Sequence, residues 1–328
     1  MVSELILDEA PLTEPYAPER LLHREGVVRE IISALSPVLK NRTSENILVY
    51  GDSGTGKTSV IKSILQKHFE SSFVYVNCWN VRSRHKILSE ILLQMNQMVH
   101  GRESIEELTK IFERVPKKRL VVCLDEADQL RDTSILYNLA RNSVAVILIA
   151  NSEFFLAELD PRVSSSLWLR RVEFKKYSAT ELTDILSERV EYSLKPGAID
   201  DHVIHIISTV ANGDARVALQ TLRTAARLAE RKGSAKISID EMRGAVREAR
   251  LSKRAYLITK LNPNERLLYG ILEARGKTKS GTLYQDYRKQ VDNPLQERAY
   301  RENMERLAEK GLVIALGTGR GRSYAING

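Results

Sequence analysis

The sequence predicts an α/β P-loop base with a helical lid, followed by a C-terminal winged-helix domain. Three observations predict it. As far as residue 176, short apolar runs alternate with helix-like stretches, the pattern of a parallel sheet wrapped by helices. From Tyr177 the pattern turns helical throughout. The last stretch gives three helical patterns and then two short apolar runs around a glycine-rich turn that carries arginines.

The base is the most informative part. Ile47, Leu48, Val49 and Tyr50 form a strand that runs into Gly51-Asp52-Ser53-Gly54-Thr55-Gly56-Lys57-Thr58. This fits the full G-x-x-x-x-G-K-[ST] pattern, with a strand before it and a helix after it. Glycines let the backbone curl so that successive N–H groups face phosphate oxygens. The helix beginning near Lys57 and Thr58, with Ser59 in its first turn, adds its positive N-terminal end. Lys57 reaches the β and γ phosphates, and Thr58 offers a hydroxyl to Mg²⁺.

Leu120 to Leu124 is a continuous apolar run, as expected of a strand buried on both faces. It ends in Asp125-Glu126. Asp125 at the C-terminal end of that strand suits Mg²⁺, and Glu126 suits polarisation of an attacking water. Ligands gather at that edge of an open α/β sheet. Val144 to Ala150 is the longest apolar run and reads as the next buried strand, with Asn151 at the same edge. Asn151 suits either a γ-phosphate sensor or a strand-end turn former. Further on, Gly213-Asp214 opens a helix with Asp214 as N-cap, which puts Arg216 in the first turn. A cation there works against the helix dipole, so Arg216 is expected to reach back to phosphate instead. Arg162 is either a phosphate or subunit-interface contact or a plain surface arginine.

The lid opens at Ser178-Ala-Thr-Glu181, a capping box, and contains three to five helices. In the tail, helices are expected over "LNPNERLLYGILEARG", "SGTLYQDYRKQV" and "NPLQERAYRENMERLAEKG". A hairpin follows between Val313–Leu316 and Ser323–Ile326. On the third helix Gln296, Arg298 and Arg301 project from the N-terminal half, the part that enters a major groove in helix-turn-helix docking. Arg320 and Arg322 in the glycine-rich wing suit phosphates or a minor groove. Winged helices also serve as protein docking modules.

The composition sets limits. The chain has 328 residues, 43% hydrophobic and 28% charged, as in ordinary globular proteins. No apolar run approaches the roughly 18 residues that span a bilayer, so no membrane partner is expected. The opening MVSELILDEAPLTEP is acidic and lacks the pattern of a secretory signal. Cys78 and Cys123 lie inside apolar runs, as core thiols in a reducing compartment would. A cytoplasmic, nucleoid-associated protein is expected. The net charge is +8, and residues 251–328 hold 15 Lys and Arg against 8 Asp and Glu. A basic tail on a near-neutral body points to an anionic partner.

P-loop, Asp-Glu strand end, Asn strand end and Gly-Asp-Ala-Arg helix, in that order, resemble the AAA+ ATPases. The chain is similar, over nearly its whole length, to the archaeal replication initiators of the origin-recognition/cell-division-control type. "PERLLHREGVVREIISALSPVL" resembles that family's adenine-side lead-in, and "FVYVNCWNVRSRHKILSEIL" its second strand and initiator-specific insertion. "LDPRVSSSL" and "GDARVAL" match family signatures. The resemblance implies ATP/ADP and Mg²⁺ as cofactors. It makes Asp125 and Glu126 the Walker B pair, Asn151 sensor 1 and Arg216 sensor 2. It adds Arg82 and Arg84 as a second DNA contact. Ser164, Ser165 and Ser166 stand where some relatives carry an arginine, and whether Arg162 acts as an arginine finger stays open. The chain is also short for the family between Gln97 and Val121.

The expected organisation is an N-terminal extension over 1–22, an AAA+ base over 23–176, a lid over 177–252 and a winged helix over 253–328. The expected function is an ATPase with slow, switch-like hydrolysis that binds duplex DNA at origin repeats and helps to load a replicative helicase, with other initiator paralogues as further partners. Two alternatives stand beside it. One is a DNA-binding paralogue that regulates initiation or transcription. The other is a protein-remodelling ATPase whose winged helix is a docking module.

Overall fold

Five parallel strands form the base: β1 (Asn46–Tyr50), β2 (Phe73–Asn77), β3 (Val121–Asp125), β4 (Ala145–Ala150) and β5 (Leu169–Glu173). Their order is β2-β3-β4-β1-β5, so the P-loop strand lies between β4 and β5. In this computed structural model the described residues are 5–16, 18–70, 72–117, 119–142 and 144–327; side chains are not described at 158, 250, 252, 253, 256 and 320.

Strand periodicity divides the base core into two layers. Ile47, Val49, Val121, Cys123, Ile147 and Ile149 face helices α1 (Glu25–Leu39) and α2 (Lys57–Phe69), meeting Ile31, Leu35, Ile61 and Leu65. Their neighbours in sequence, Leu48, Val122, Leu124, Val146 and Leu148, face the opposite way. There they pack with α3 (Arg84–Gln94), α4 (Ile105–Arg114), α5 (Ser134–Arg141) and α6 (Pro161–Leu167) through Ile87, Leu108, Leu136 and Leu167. A strand covered on both faces must be apolar at every position. β3 and β4 are buried throughout.

The lid comprises α7 (Ala179–Ser193), α8 (Asp201–Val210), α9 (Ala215–Arg231) and the start of α10 (Ile239–Thr259). Ser178 and Glu181 make the expected capping box at α7. Asp214 caps α9 by accepting from the backbone N–H groups of Arg216 and Val217. Val210 is exposed at the last turn of α8. Helix α10 runs across the expected lid boundary at 252 and continues to Thr259. Neither Gly nor Pro stands between Lys253 and Pro263, so no helix breaker stops it at the expected place.

The chain divides into two compact units, 1–242 and 243–328, with the division inside α10. The second unit contains α11 (Pro263–Arg275), β6 (Thr278–Lys279), α12 (Ser280–Lys289), α13 (Glu297–Glu309), β7 (Val313–Leu316) and β8 (Ser323–Ile326). Its core gathers Leu268, Leu272, Leu283, Tyr287, Tyr300, Met304, Leu307 and Tyr324. Strands β7 and β8 pair antiparallel as expected, and the short β6 adds to β8 as a third strand that the pattern did not suggest. Among the described residues no helix is long and apolar enough to cross a membrane.

Candidate functional site

The site begins where β1 ends. Gly54 and Gly56 take left-handed backbone angles, φ +73° and +89°, that let the chain curl between strand and helix. At Gly54 the close approach is as important as the angle. A Cβ there would lie 1.8 Å from Asp214 Oδ1. The Gly54 carbonyl also accepts from Ala215 N at 3.0 Å, so the P-loop touches the start of lid helix α9 directly. Gly51 opens the curl. Ser53 and Ser59 are exposed on it. Thr55 is fully buried and donates its hydroxyl to the Asp52 carbonyl, while Lys176 pairs with the Asp52 carboxylate.

Lys57 is buried, and its Nζ donates to the Gly51 and Asp52 carbonyls at 2.6 and 2.9 Å. Burial lowers its pKa, and the carboxylates of Glu126, Asp125 and Asp128 oppose that shift. Its ammonium is therefore kept inside the curl of the loop, where a phosphate would offer better acceptors than carbonyls.

At the end of β3, Asp125 is almost fully buried. Its Oδ2 accepts from Thr58 Oγ1 at 2.8 Å and from the Tyr75 hydroxyl at 2.5 Å. Its Oδ1 accepts from Glu126 N. Thr58 and Asp125, the expected Mg²⁺ pair, are thus adjacent, and a hydroxyl and a carboxylate are a fitting donor set for a hard cation. Glu126 has φ +56°, a left-handed angle uncommon for a residue with a side chain. Such strain gathers at functional positions. Asn151 donates through Nδ2 to Glu126 Oε2 at 3.2 Å and to Asp128 Oδ2 at 3.1 Å. The strand-end asparagine therefore holds the Glu126 carboxylate by one hydrogen bond.

From the lid, Arg216 reaches the same place. Its Nη1 lies 3.5 Å from Ser53 Oγ, and its Nε pairs with Glu14 Oε1 at 2.8 Å. The structure thus brings Lys57, Thr58, Asp125, Glu126, Asn151 and Arg216 to one edge of the sheet.

Three residues that sequence reasoning passed over belong here. Tyr75 holds Asp125 from β2. Asp128 shares Asn151 with Glu126. Arg24 is buried at the start of α1 and donates from Nε and Nη2 to the Thr55 carbonyl of the P-loop and from Nη2 to the Lys175 carbonyl. Its guanidinium lies 3.7 Å from the Tyr177 ring centre. Arg24 carried the signal that singled out Arg216, a cation at a helix N-terminus.

The remaining candidates lie away from this edge. Arg162 is exposed in the first turn of α6, with its backbone N–H capped by Asp160. Arg82 stacks on Trp79 at 4.6 Å and donates to its carbonyl. Arg84 is half-buried, with its Nε out of solvent and without an acceptor. In the second unit Gln296 is the N-cap residue of α13, and Arg298 and Arg301 are exposed on its outer face, each paired along the helix with Glu302 or Glu297. Arg322 stacks on Tyr324 and lies 4.0 Å from Glu305. Arg320 falls in the turn between β7 and β8, and its side chain lies outside the described residues.

A P-loop, a strand-end Asp-Glu pair, a strand-end Asn and a lid arginine around an all-parallel β2-β3-β4-β1-β5 sheet define an AAA+ ATPase. Family models agree: an AAA domain matches residues 40–156 and a Cdc6 AAA+ ATPase-type lid domain matches 183–247. ORC1-type DNA replication protein 9 of Halobacterium salinarum is 32% identical over 98% of this chain and 94% of its own length. The solved Aeropyrum pernix ORC1 protein in complex with DNA superposes with a TM-score of 0.83 at 27% identity, covering 100% of this chain and 95% of that one. The Aeropyrum pernix ORC2 protein, solved in ADPNP–ADP complexes, shares the fold with a TM-score of 0.65 at 24% identity, covering 98% and 94%. The chain belongs to the archaeal ORC1-type/Cdc6 replication initiators.

Proposed function

We propose that the chain is an ATP-switched, sequence-specific duplex-DNA-binding initiator that marks replication origins and helps to load the replicative helicase, with other initiator paralogues as further partners. The observation that carries the switch is Arg216, a lid residue whose guanidinium lies beside P-loop Ser53. Nucleotide held there is bound by two bodies at once, so the presence of a γ-phosphate changes the force between base and lid.

The chain's own residues divide the work. The N–H groups of the P-loop and the start of α2 cradle the phosphates. Lys57 exchanges the Gly51 and Asp52 carbonyls for phosphate oxygens. Thr58 and Asp125 would hold Mg²⁺, which when bound neutralises phosphate charge. Glu126 polarises the attacking water, and Asn151 sets the direction of its carboxylate. Hydrolysis is slow and acts as a timer.

The second unit we read as a winged helix, with α13 as the recognition helix and the β7–β8 turn as the wing. In support, α13 carries an outward row of Gln296, Arg298 and Arg301 over a well-packed inner face. The DNA complex of the Aeropyrum pernix relative supports DNA binding. Arg82 and Arg84 are read as a second, weaker contact from the base.

The test is selection from sheared genomic DNA of the source organism with the full chain, ATP and physiological salt, followed by sequencing. A short repeated element beside a replication start is expected. Enrichment at scattered promoters would favour a regulator instead. No enrichment over random competitor DNA would overturn sequence-specific binding.

A further inference from the structure

Residues 5–14 run antiparallel along one stripe of lid helix α9. The stripe is Arg216, Arg223, Arg227 and Glu230, at intervals of seven, four and three, which a helix places on one face. At one end the backbone N–H groups of Leu5 and Ile6 both donate to Glu230 Oε1 at 2.9 Å. Glu9 then accepts from Arg227 Nη2 and Arg223 Nε, each at 2.9 Å. At the other end Glu14 Oε1 meets Arg216 Nε at 2.8 Å. The segment is also anchored to α7. The N–H groups of Leu7 and Asp8 donate to the Ser193 carbonyl, and Lys195 N donates to the Leu5 carbonyl. Leu5 and Leu12 are buried, and Tyr16 lies under the guanidinium of Arg189 at 4.5 Å.

A lone exposed ion pair contributes little, because two free side chains must be ordered to make it. Here the carboxylate is delivered by a segment already fixed at several points. The atom it takes is Nε. Nη1 of the same guanidinium remains turned to the P-loop, beside Ser53.

We propose that Glu14 is a positioning residue for nucleotide sensing: the segment carries it to Arg216, where it fixes the guanidinium through Nε and leaves Nη1 facing the phosphate loop. This rests on the reading of Arg216 as the lid's phosphate sensor. Segment 5–16 is thereby part of the lid and moves with it.

The test is equilibrium binding of fluorescent ATP and ADP analogues to the full chain carrying Glu14→Ala, Glu14→Gln, Arg216→Ala or Glu14→Ala with Arg216→Ala. Glu14 is well exposed, so its substitution leaves folding intact. Loss of one oriented hydrogen bond predicts that Glu14→Ala weakens ATP binding about threefold to tenfold with ADP binding little changed. Glu14→Gln keeps an oxygen that accepts from Nε and should bind ATP nearly as the unsubstituted chain does. The double variant should lose no more than Arg216→Ala alone, as residues acting through one contact do. If Arg216→Ala leaves ATP and ADP binding in the same ratio, the sensor reading itself is wrong, and this proposal falls with it. If Arg216→Ala removes the preference for ATP and Glu14→Ala does not, the sensor stands and the positioning role is overturned. If Glu14→Gln tightens ATP binding, Glu14 competes with phosphate, which also overturns it.

Discussion

Tyr75 on β2 donates its hydroxyl hydrogen to Oδ2 of Asp125 on β3, the oxygen that also accepts from Thr58. The hydrogen bond crosses between neighbouring strands whose registered pairs place Tyr75 opposite Cys123 and Asn77 opposite Asp125. Two donors on one oxygen fix the carboxylate plane and keep Oδ2 turned to Thr58. Tyr75→Phe removes one donor and little volume. Hydrogen bonds to charged groups are worth about 1.5–3 kcal/mol, part of which relaxation recovers. The Mg²⁺ concentration for half-maximal ATPase activity should rise about tenfold by that reckoning, with the rate at saturating Mg²⁺ little changed. A Mg²⁺ titration of steady-state hydrolysis measures it. An unshifted midpoint would mean that Tyr75 serves packing alone.

Gly54→Ala should uncouple base from lid. The new methyl carbon would lie 1.8 Å from Asp214 Oδ1, and the residue would keep a left-handed φ of +73°. Relief requires the Asp214 cap, and with it the first turn of α9 and Arg216, to withdraw. Loss of an N-cap and a strained backbone each cost on the order of 1 kcal/mol. A domain of this size should then melt about 4–8 °C lower, at about 2–4 °C per kcal/mol. ATP binding should weaken more than ADP binding. Thermal denaturation with and without nucleotide checks both, and a melting point unchanged in both conditions would show that the lid is not seated on the P-loop.

How much of this was legible in advance depends on how far apart the partners lie. The centre of the sheet was legible because β3 and β4 are continuous apolar runs, as burial on both faces demands. Arg216 was legible because a cation beside a helix N-terminus needs a reason. Arg24 offered the same reason, but its partners, the Thr55 and Lys175 carbonyls, are backbone atoms that no side-chain pattern announces. Tyr75 was hidden because tyrosine is an ordinary strand former. Asn303 on α13 was hidden too. It is buried, accepts from Asn262, the N-cap residue of α11, and donates to the Ala299 carbonyl, a polar residue among the apolar ones on the inner face of α13. Segment 5–16 has no periodicity, and its partners lie some two hundred residues further along the chain.

Acid should loosen that segment before it unfolds the core. Hydrogen bonds from Arg227 and then Arg223 hold the Glu9 pKa down to about 2. A folded-state pKa below the unfolded one gives stability that is present above the unfolded value, near 4.5, and lost as pH falls through the folded one. The window is therefore about pH 4.5 to 2. Solvent at the pair discounts its contribution to on the order of 1 kcal/mol. Glu9→Gln should lower the melting temperature by about 2–4 °C at neutral pH, and the difference should close across that window. A gap that persists at pH 2 would assign the effect to packing rather than charge.

On α13 the arginines proposed to read DNA are already paired, Arg298 with Glu302 and Arg301 with Glu297, each four residues away along the helix. Exposed pairs at this spacing stabilise a helix by only about 0.3–0.5 kcal/mol each. Arg298→Ala with Arg301→Ala should therefore leave the melting temperature within about 4 °C. The arginines are held by partners weak enough for a guanine edge or a phosphate to displace. A bidentate base contact discriminates by about 1–3 kcal/mol, whereas phosphate contacts weaken binding to all sequences alike. The double variant should lose about tenfold or more in affinity for its selected site, and less for random duplex of the same length. Arg322→Ala should weaken both equally and flatten the salt dependence by about one counterion. Titrations against both duplexes at several salt concentrations separate these outcomes. Equal losses for Arg298→Ala/Arg301→Ala on both duplexes would move the sequence-reading face off α13.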